Sequence, residues 1–198
     1  MSASIVAQAL DDVVRYFEEL PEVATQAAAL AINTVSQRQA LPEIRKVMRE
    51  QLDFPEGYLE SPKRLRVARK ATRNVLQATI RGRDEPTSLA RFRTPGQDVK
   101  NTRGRGVRVK LKRGQTRLLR KGFLVNLRGG NTGLAVRLKP GEALTNSSAA
   151  VELANNVYLL YGPSVDQVFR TVSSDVAPSV TKNVTTEFFR QFSRLSRG

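Results

Sequence analysis

Apolar residues recur at helical spacing at both ends of this chain and at every second position in its middle. That change of period limits the fold more than any other feature. Ile5, Val6, Ala9, Leu10, Val13, Val14 and Phe17 predict an amphipathic helix over 3–19. Leu20-Pro21 breaks it, because proline disfavours helical geometry in the residue before it. Pro21 suits the first turn of a second helix, where Ala24, Ala27, Ala28, Ala31 and Val35 line one side. Such small side chains allow another backbone to approach closely, within the subunit or between subunits. Pro42 is expected to kink or restart this helix, which continues over 43–52. Near the other end, Ser164 opens a helix through Val172. A separate C-terminal helix carries Val176, Val180, Val184, Phe188, Phe192 and Leu195, with Pro178 in its first turn and Ser174 or Asp175 as its cap.

Between these ends the pattern is that of strands. Residues 65–69 and 74–81 read as two of them, with Leu76 and Ile80 facing the core. Residues 107–112 alternate cleanly, setting Val107, Val109 and Leu111 against Arg108, Lys110 and Lys112. Residues 123–138 form the clearest hairpin, turning at Gly129-Gly130-Asn131-Thr132. A last strand over 157–160 is stopped by Tyr161-Gly162-Pro163. Residues 83–106 have little apolar periodicity and read as a long basic loop or insertion. Helices, then strands, then helices make an α+β chain: N-terminal helices packed on a small antiparallel sheet with a long loop, then C-terminal helices. A length of 198 residues suits one domain spanning 1–198 with that loop inside it.

Charge is distributed as unevenly as period. Residues 62–139 hold 23 Lys and Arg against 3 Asp and Glu, while the rest of the chain is mildly acidic. A basic middle on an acidic framework calls for an anionic partner, either nucleic-acid phosphate or the acidic surface of a protein. The candidate contacts are Arg66, Arg69, Lys70 and Arg73 before the loop, Arg103 and Arg105 in it, and Arg108, Lys110, Lys112 and Arg113 after it. A solvated face that keeps the protein soluble accounts poorly for so one-sided a balance.

The composition removes whole classes of chemistry. Without Cys there are no disulfides, thiolate metal sites or thiol nucleophiles. Without His the commonest general base and metal ligand are gone. Asp84, Glu85 and Asp98 could hold magnesium in principle, but they read more simply as loop acids offsetting nearby arginines. No catalytic, cofactor-binding or metal-binding residues are assigned, and the chain reads as a non-enzyme without a cofactor. Arg103-Gly104-Arg105-Gly106 lacks the third glycine of a dinucleotide loop, and no Gly-Lys-Ser/Thr follows Gly129-Gly130. Few aromatics and no Trp argue against a reader of single strands by stacking. No apolar run approaches the roughly 20 residues that cross a bilayer, and the N-terminus does not read as a secretory signal. A soluble protein made in the cytoplasm is expected.

The order of helices, the Asn74-Val75-Leu76 strand running into Arg81-Gly82-Arg83-Asp84, the 123–138 hairpin and Leu160-Tyr161-Gly162-Pro163-Ser164 before a helical tail resemble the prophage minor tail protein Z family. The resemblance runs over most of the chain. It implies a tail-completion protein of a long-tailed phage, made in the host cytoplasm and carried in the virion at the head-proximal end of the tail. Its implied partners are the tail terminator and the neck or stopper proteins, with self-association into a six-fold ring around the DNA channel. A strongly positive lumen would grip DNA and oppose its passage. The basic face is therefore expected to meet acidic partner surfaces or to touch a DNA end. A stand-alone basic nucleic-acid-binding protein is the alternative.

Overall fold

The computed structural model describes residues 22–102, 104–144 and 150–197. The helix expected over 3–19 lies outside the described residues, as does Pro21. The fold is α+β, and the chain divides into two compact units. One holds the residues up to 48, 59–83 and those from 166 onward; the other holds 49–58 and 84–165.

In the first unit, α1 (Glu22–Val35), a π-helical turn (Ser36–Ala40) and α2 (Leu41–Gln51) run on without interruption. Pro42 does not restart the helix. In a regular α-helix its ring would press on the Arg38 carbonyl, four residues back. The wider π turn immediately before it makes room, and the Leu41 amide donates to the Ser36 carbonyl across that turn. The alanine face is buried as expected: Ala24, Ala27 and Ala31 have no exposure.

A single helix, α3 (Val165–Leu195), replaces the two expected at the C-terminus and packs against the N-terminal helix. The Ser179 hydroxyl of α3 lies 2.7 Å from both carboxylate oxygens of Glu43. Val176, Val180 and Val184 are buried along with Phe169 and Val172, so the valine stripe faces inward. Pro178 sits inside the helix rather than in its first turn, and neither Ser174 nor Asp175 is a cap. Pro178 is on the exposed side, where water can satisfy the Ser174 carbonyl that its missing N–H leaves without a helical donor.

β1 (Leu65–Arg69) pairs antiparallel with β2 (Thr79–Gly82). The strand expected over 74–81 is thus confined to its end. Thr72 and Val75 exchange backbone hydrogen bonds, and the Val75 amide also donates to the Thr72 hydroxyl, closing a local turn that competes with extension. Ile80 reaches the core as expected; Leu76 is only half-buried.

The second unit is a five-stranded antiparallel sheet and a separate two-stranded ribbon. Its strands are β3 (Pro86–Ser88), β4 (Val107–Lys112), β5 (Gln115–Leu119), β6 (Gly122–Asn126), β7 (Thr132–Arg137), β8 (Ala150–Ala154) and β9 (Val157–Ser164). The sheet order is β3-β9-β7-β6, with β8 also on β9, while β4 and β5 form the ribbon. The β6–β7 hairpin is the one expected. β9 does not stop at Tyr161-Gly162-Pro163: Pro86 pairs with Ser164 and Thr87 with Gly162, so a bulge steps over the proline that cannot donate. Asn155 and Asn156 both take positive φ, which suits the two-residue turn between β8 and β9.

Residues 83–106 are not a structureless loop. They contain β3 and a 3-10 turn (Leu89–Phe92) that buries Ala90 and Phe92. Phe92 packs on Phe54, their ring centres 5.6 Å apart. Two faces of the sheet follow from its alternation. On one, Leu124 and Leu134 cluster with Ala90, Val107 and Val109. On the other, Ala135, Val157 and Leu159 gather with half-buried Phe123, Val125, Leu127 and Tyr161.

Two outcomes test this reading. Proline inside a helix costs about 3 kcal/mol relative to alanine, so Pro178→Ala should stabilise the protein by about 1–3 kcal/mol in urea unfolding. An unchanged or lower stability would contradict the placement of Pro178. Glu187 accepts hydrogen bonds from Arg190 and Gln191, and chiefly the Arg190 bond holds its carboxyl below the usual 4.5. The stability this contributes is complete above pH 4.5 and is lost as pH falls through the depressed value. Glu187→Gln should therefore flatten the decline of melting temperature below about pH 4.5; an equally steep decline would contradict that linkage.

Candidate anionic-partner surface

The β4–β5 ribbon is built by one-sided burial. Val107 and Val109 have 0% and 1% exposure. With a period of two, burying them turns Arg108 outward. Arg108 lies opposite Leu118 in the ladder and Val109 opposite Arg117. From Lys112 through Leu118 every residue is exposed, so the far end of the ribbon, with its Arg113-Gly114 turn, is held by pairing rather than by a core. Its root is fixed more tightly. Gly106 has a φ of +79°, and a Cβ there would lie 2.7 Å from the Leu119 carbonyl oxygen. Only glycine fits both requirements.

A hydrogen-bonded loop lies beside that root. Gln97 clamps the Arg108 backbone from both sides: its Oε1 accepts the Arg108 amide at 2.8 Å, and its Nε2 donates to the Arg108 carbonyl at 2.7 Å. One Asp98 carboxylate oxygen accepts the amides of Lys100 and Asn101, and the Asn101 side chain donates to the Gly96 carbonyl. The buried Thr102 hydroxyl donates to the Asp98 carbonyl and accepts the Leu124 amide, tying the loop to the sheet. These bonds enclose an open, polar cleft of about 400 Å³, whose lining includes Thr94, Gln97, Asn101, Arg105 and Arg108.

Two basic side chains of this unit are neutralised by carboxylates. Lys110 pairs with Asp53 at 3.2 Å. Lys121 pairs with Glu142, and that hydrogen bond is the main reason the Glu142 carboxyl sits below its usual range. Among the described residues, no hydrogen bond or ion pair engages the side chains of Arg105, Arg108, Lys112, Arg113, Arg117 or Arg120.

The described residues among the ten basic ones singled out in the sequence are divided between the two units. Arg66 and Arg69 lie on β1, and Lys70 and Arg73 follow it, all in the first unit. Asn33 fixes that turn, donating to the Ala71 carbonyl at 2.9 Å and accepting the Ala71 amide at 2.8 Å. Arg73 donates to Gln26. Arg105, Arg108, Lys110, Lys112 and Arg113 belong to the second unit. Arg103 lies outside the described residues. Arg117 and Arg120 were missed; the signal that could have found them is the Arg113-Gly114 turn after an alternating strand, which implies a returning strand. Asp98 is used in its own turn, and no group of three or more His, Cys, Asp or Glu that could hold a metal occurs among the described residues. Nor is any described helix long and apolar enough to cross a membrane.

No family model, curated protein or solved structure matches the chain. Chemically, the ribbon and cleft offer unpaired guanidinium donors on a hydrogen-bonded backbone beside a small polar cavity, an arrangement suited to holding an anion. Because Gly106 sets the root, Gly106→Ala should lower stability by about 1–3 kcal/mol in thermal or urea unfolding. A neutral substitution would contradict the close approach of Leu119.

Proposed function

We propose that this chain is a structural protein of a phage tail or neck. It would complete the head-proximal end of the tail and support head–tail joining as part of a ring around the DNA channel. The resemblance to the prophage minor tail protein Z family suggests the reading, and one structural observation supports it. On the second face of the sheet Ala135, Val157 and Leu159 are buried, and Phe123, Val125, Leu127 and Tyr161 are half-buried around them. Beside it on β8, Val151 and Leu153 are 55% and 49% exposed. The exposed apolar margin at Val151 and Leu153, in a unit that also carries unpaired guanidiniums on its ribbon, is suited to being covered by another protein surface.

In this reading the apolar face supplies association and the basic surfaces supply orientation. A ring repeats each contact by symmetry, so individually weak contacts add up to a stable joint. The tail terminator and the neck or stopper proteins are the proposed neighbours. The protein acts by surface complementarity and not as an enzyme, and its place is the virion. The unpaired guanidiniums of the ribbon also favour a second reading, a stand-alone nucleic-acid-binding protein.

The two readings separate in one experiment. Phage lacking this chain should assemble heads and tails that fail to join, as counted by electron microscopy, and supplying the chain should restore infectious particles. Val151→Asp with Leu153→Asp should fail to restore them while remaining folded by circular dichroism. Normal particles formed without the chain would contradict the proposal.

A further inference from the structure

We propose that the cleft beside the ribbon root is a binding site for a phosphodiester of duplex DNA, and that the β4–β5 ribbon extends the contact along the backbone. The inference goes beyond the structural role above and does not depend on it. It rests on three features of the second unit. First, Arg105 and Arg108 line the cleft without a partner for either side chain among the described residues. Guanidinium is a planar fork of donors that matches the oxygens of phosphate.

Second, the cleft is preorganised. The loop's polar side chains are spent on the loop itself: Gln97 holds the Arg108 backbone, Asn101 holds Gly96, and Thr102 joins the loop to β6. The Arg108 backbone is thus held before an anion arrives, so only side-chain freedom is left to lose on binding. Third, four more cations without a partner among the described residues lie on the same ribbon or directly after it: Lys112, Arg113, Arg117 and Arg120. A two-stranded β-ribbon fits the major groove of a duplex, where such residues meet phosphates on its rims.

The same geometry argues for a duplex over a single strand. Nothing aromatic lies between Lys112 and Leu118, so the exposed end of the ribbon has no platform on which unpaired bases could stack. It carries no sequence reading either, because phosphate contacts position a protein without specifying bases. A local grip of this kind suits a held DNA segment or end better than a sliding channel wall.

The test is binding of the full chain to a fluorescent duplex of arbitrary sequence, followed by anisotropy over a range of salt concentrations. Arg105→Ala with Arg108→Ala should weaken binding about tenfold and make the dependence of log affinity on log salt shallower by about 1.8, the value for two lost phosphate contacts. Arg66→Ala with Arg69→Ala removes the same charge from the other unit and should change affinity by less than about threefold. Gln97→Ala keeps the charge but frees the loop, and should weaken binding severalfold while circular dichroism shows the fold retained. Equal losses from the two arginine pairs would mean bulk charge alone and would overturn the proposal. So would competition by polyglutamate as effective as that by unlabelled duplex, which would identify an acidic protein as the partner. Tighter binding of inorganic phosphate than of duplex would overturn it too.

Discussion

The burial of Val107 and Val109 is the constraint on which the second unit depends. Side chains on a strand alternate, so sealing these two against Leu124 and Leu134 leaves Arg108 no inward position. It also sets the root of the ribbon against the sheet, where Gly106 passes so close to Leu119 that no Cβ fits. From that root outward the ribbon has no core of its own. Its exposed charges are a consequence of folding rather than a coat added to it, and like charges held close together on a narrow ribbon repel one another. An anion that relieves that repulsion would be favoured for the same reason.

The loop beside the ribbon shows how order arises with few apolar residues. Between Thr94 and Thr102 the chain is held by side chains bonded to nearby backbone, through Gln97, Asp98, Asn101 and Thr102. Such bonds are individually modest, about 0.5–1.5 kcal/mol net. They share atoms and reinforce one another's geometry, and two buried anchors, Phe92 and Thr102, fasten the ends. The result is a hydrogen-bonded cleft made from residues that composition alone would assign to a structureless loop.

What was legible in the sequence was whatever depends on period. The alternation of Val107 to Lys112, the β6–β7 hairpin with its double glycine, and the inward valine stripe of α3 all express one buried face, and each was readable. What was hidden depends on partners. β5 is a strand because β4 pairs with it; Gln-Thr-Arg-Leu-Leu has no buried face to reveal it. Order in 83–106 comes from pairing of the short β3 with β9, burial of Ala90 and Phe92, and side chain–backbone bonds over 94–102, none of which leaves a periodic trace. Pro178 appeared to open a helix because a proline in mid-helix is costly; its exposed position makes that cost tolerable. The basic segment looked like a single site because it is continuous in sequence, yet the fold assigns 66–73 and 105–113 to different units.

The proposed assembly and the proposed DNA contact would make different demands on the same unit, and different surfaces of it suit each. The apolar sheet face with Val151 and Leu153 at its margin is suited to another protein surface. The unpaired guanidiniums at the ribbon are suited to phosphate. The most direct measurement of the central claim is a cryo-electron-microscopy map of the mature particle at side-chain resolution. The proposed role requires this chain in a closed ring at the junction of tail and neck, with Val151 and Leu153 covered by a neighbour; the proposed phosphate site separately requires Arg105 and Arg108 against DNA. A particle in which the chain is absent from that junction, or stands there with Val151 and Leu153 open to solvent, would contradict the role.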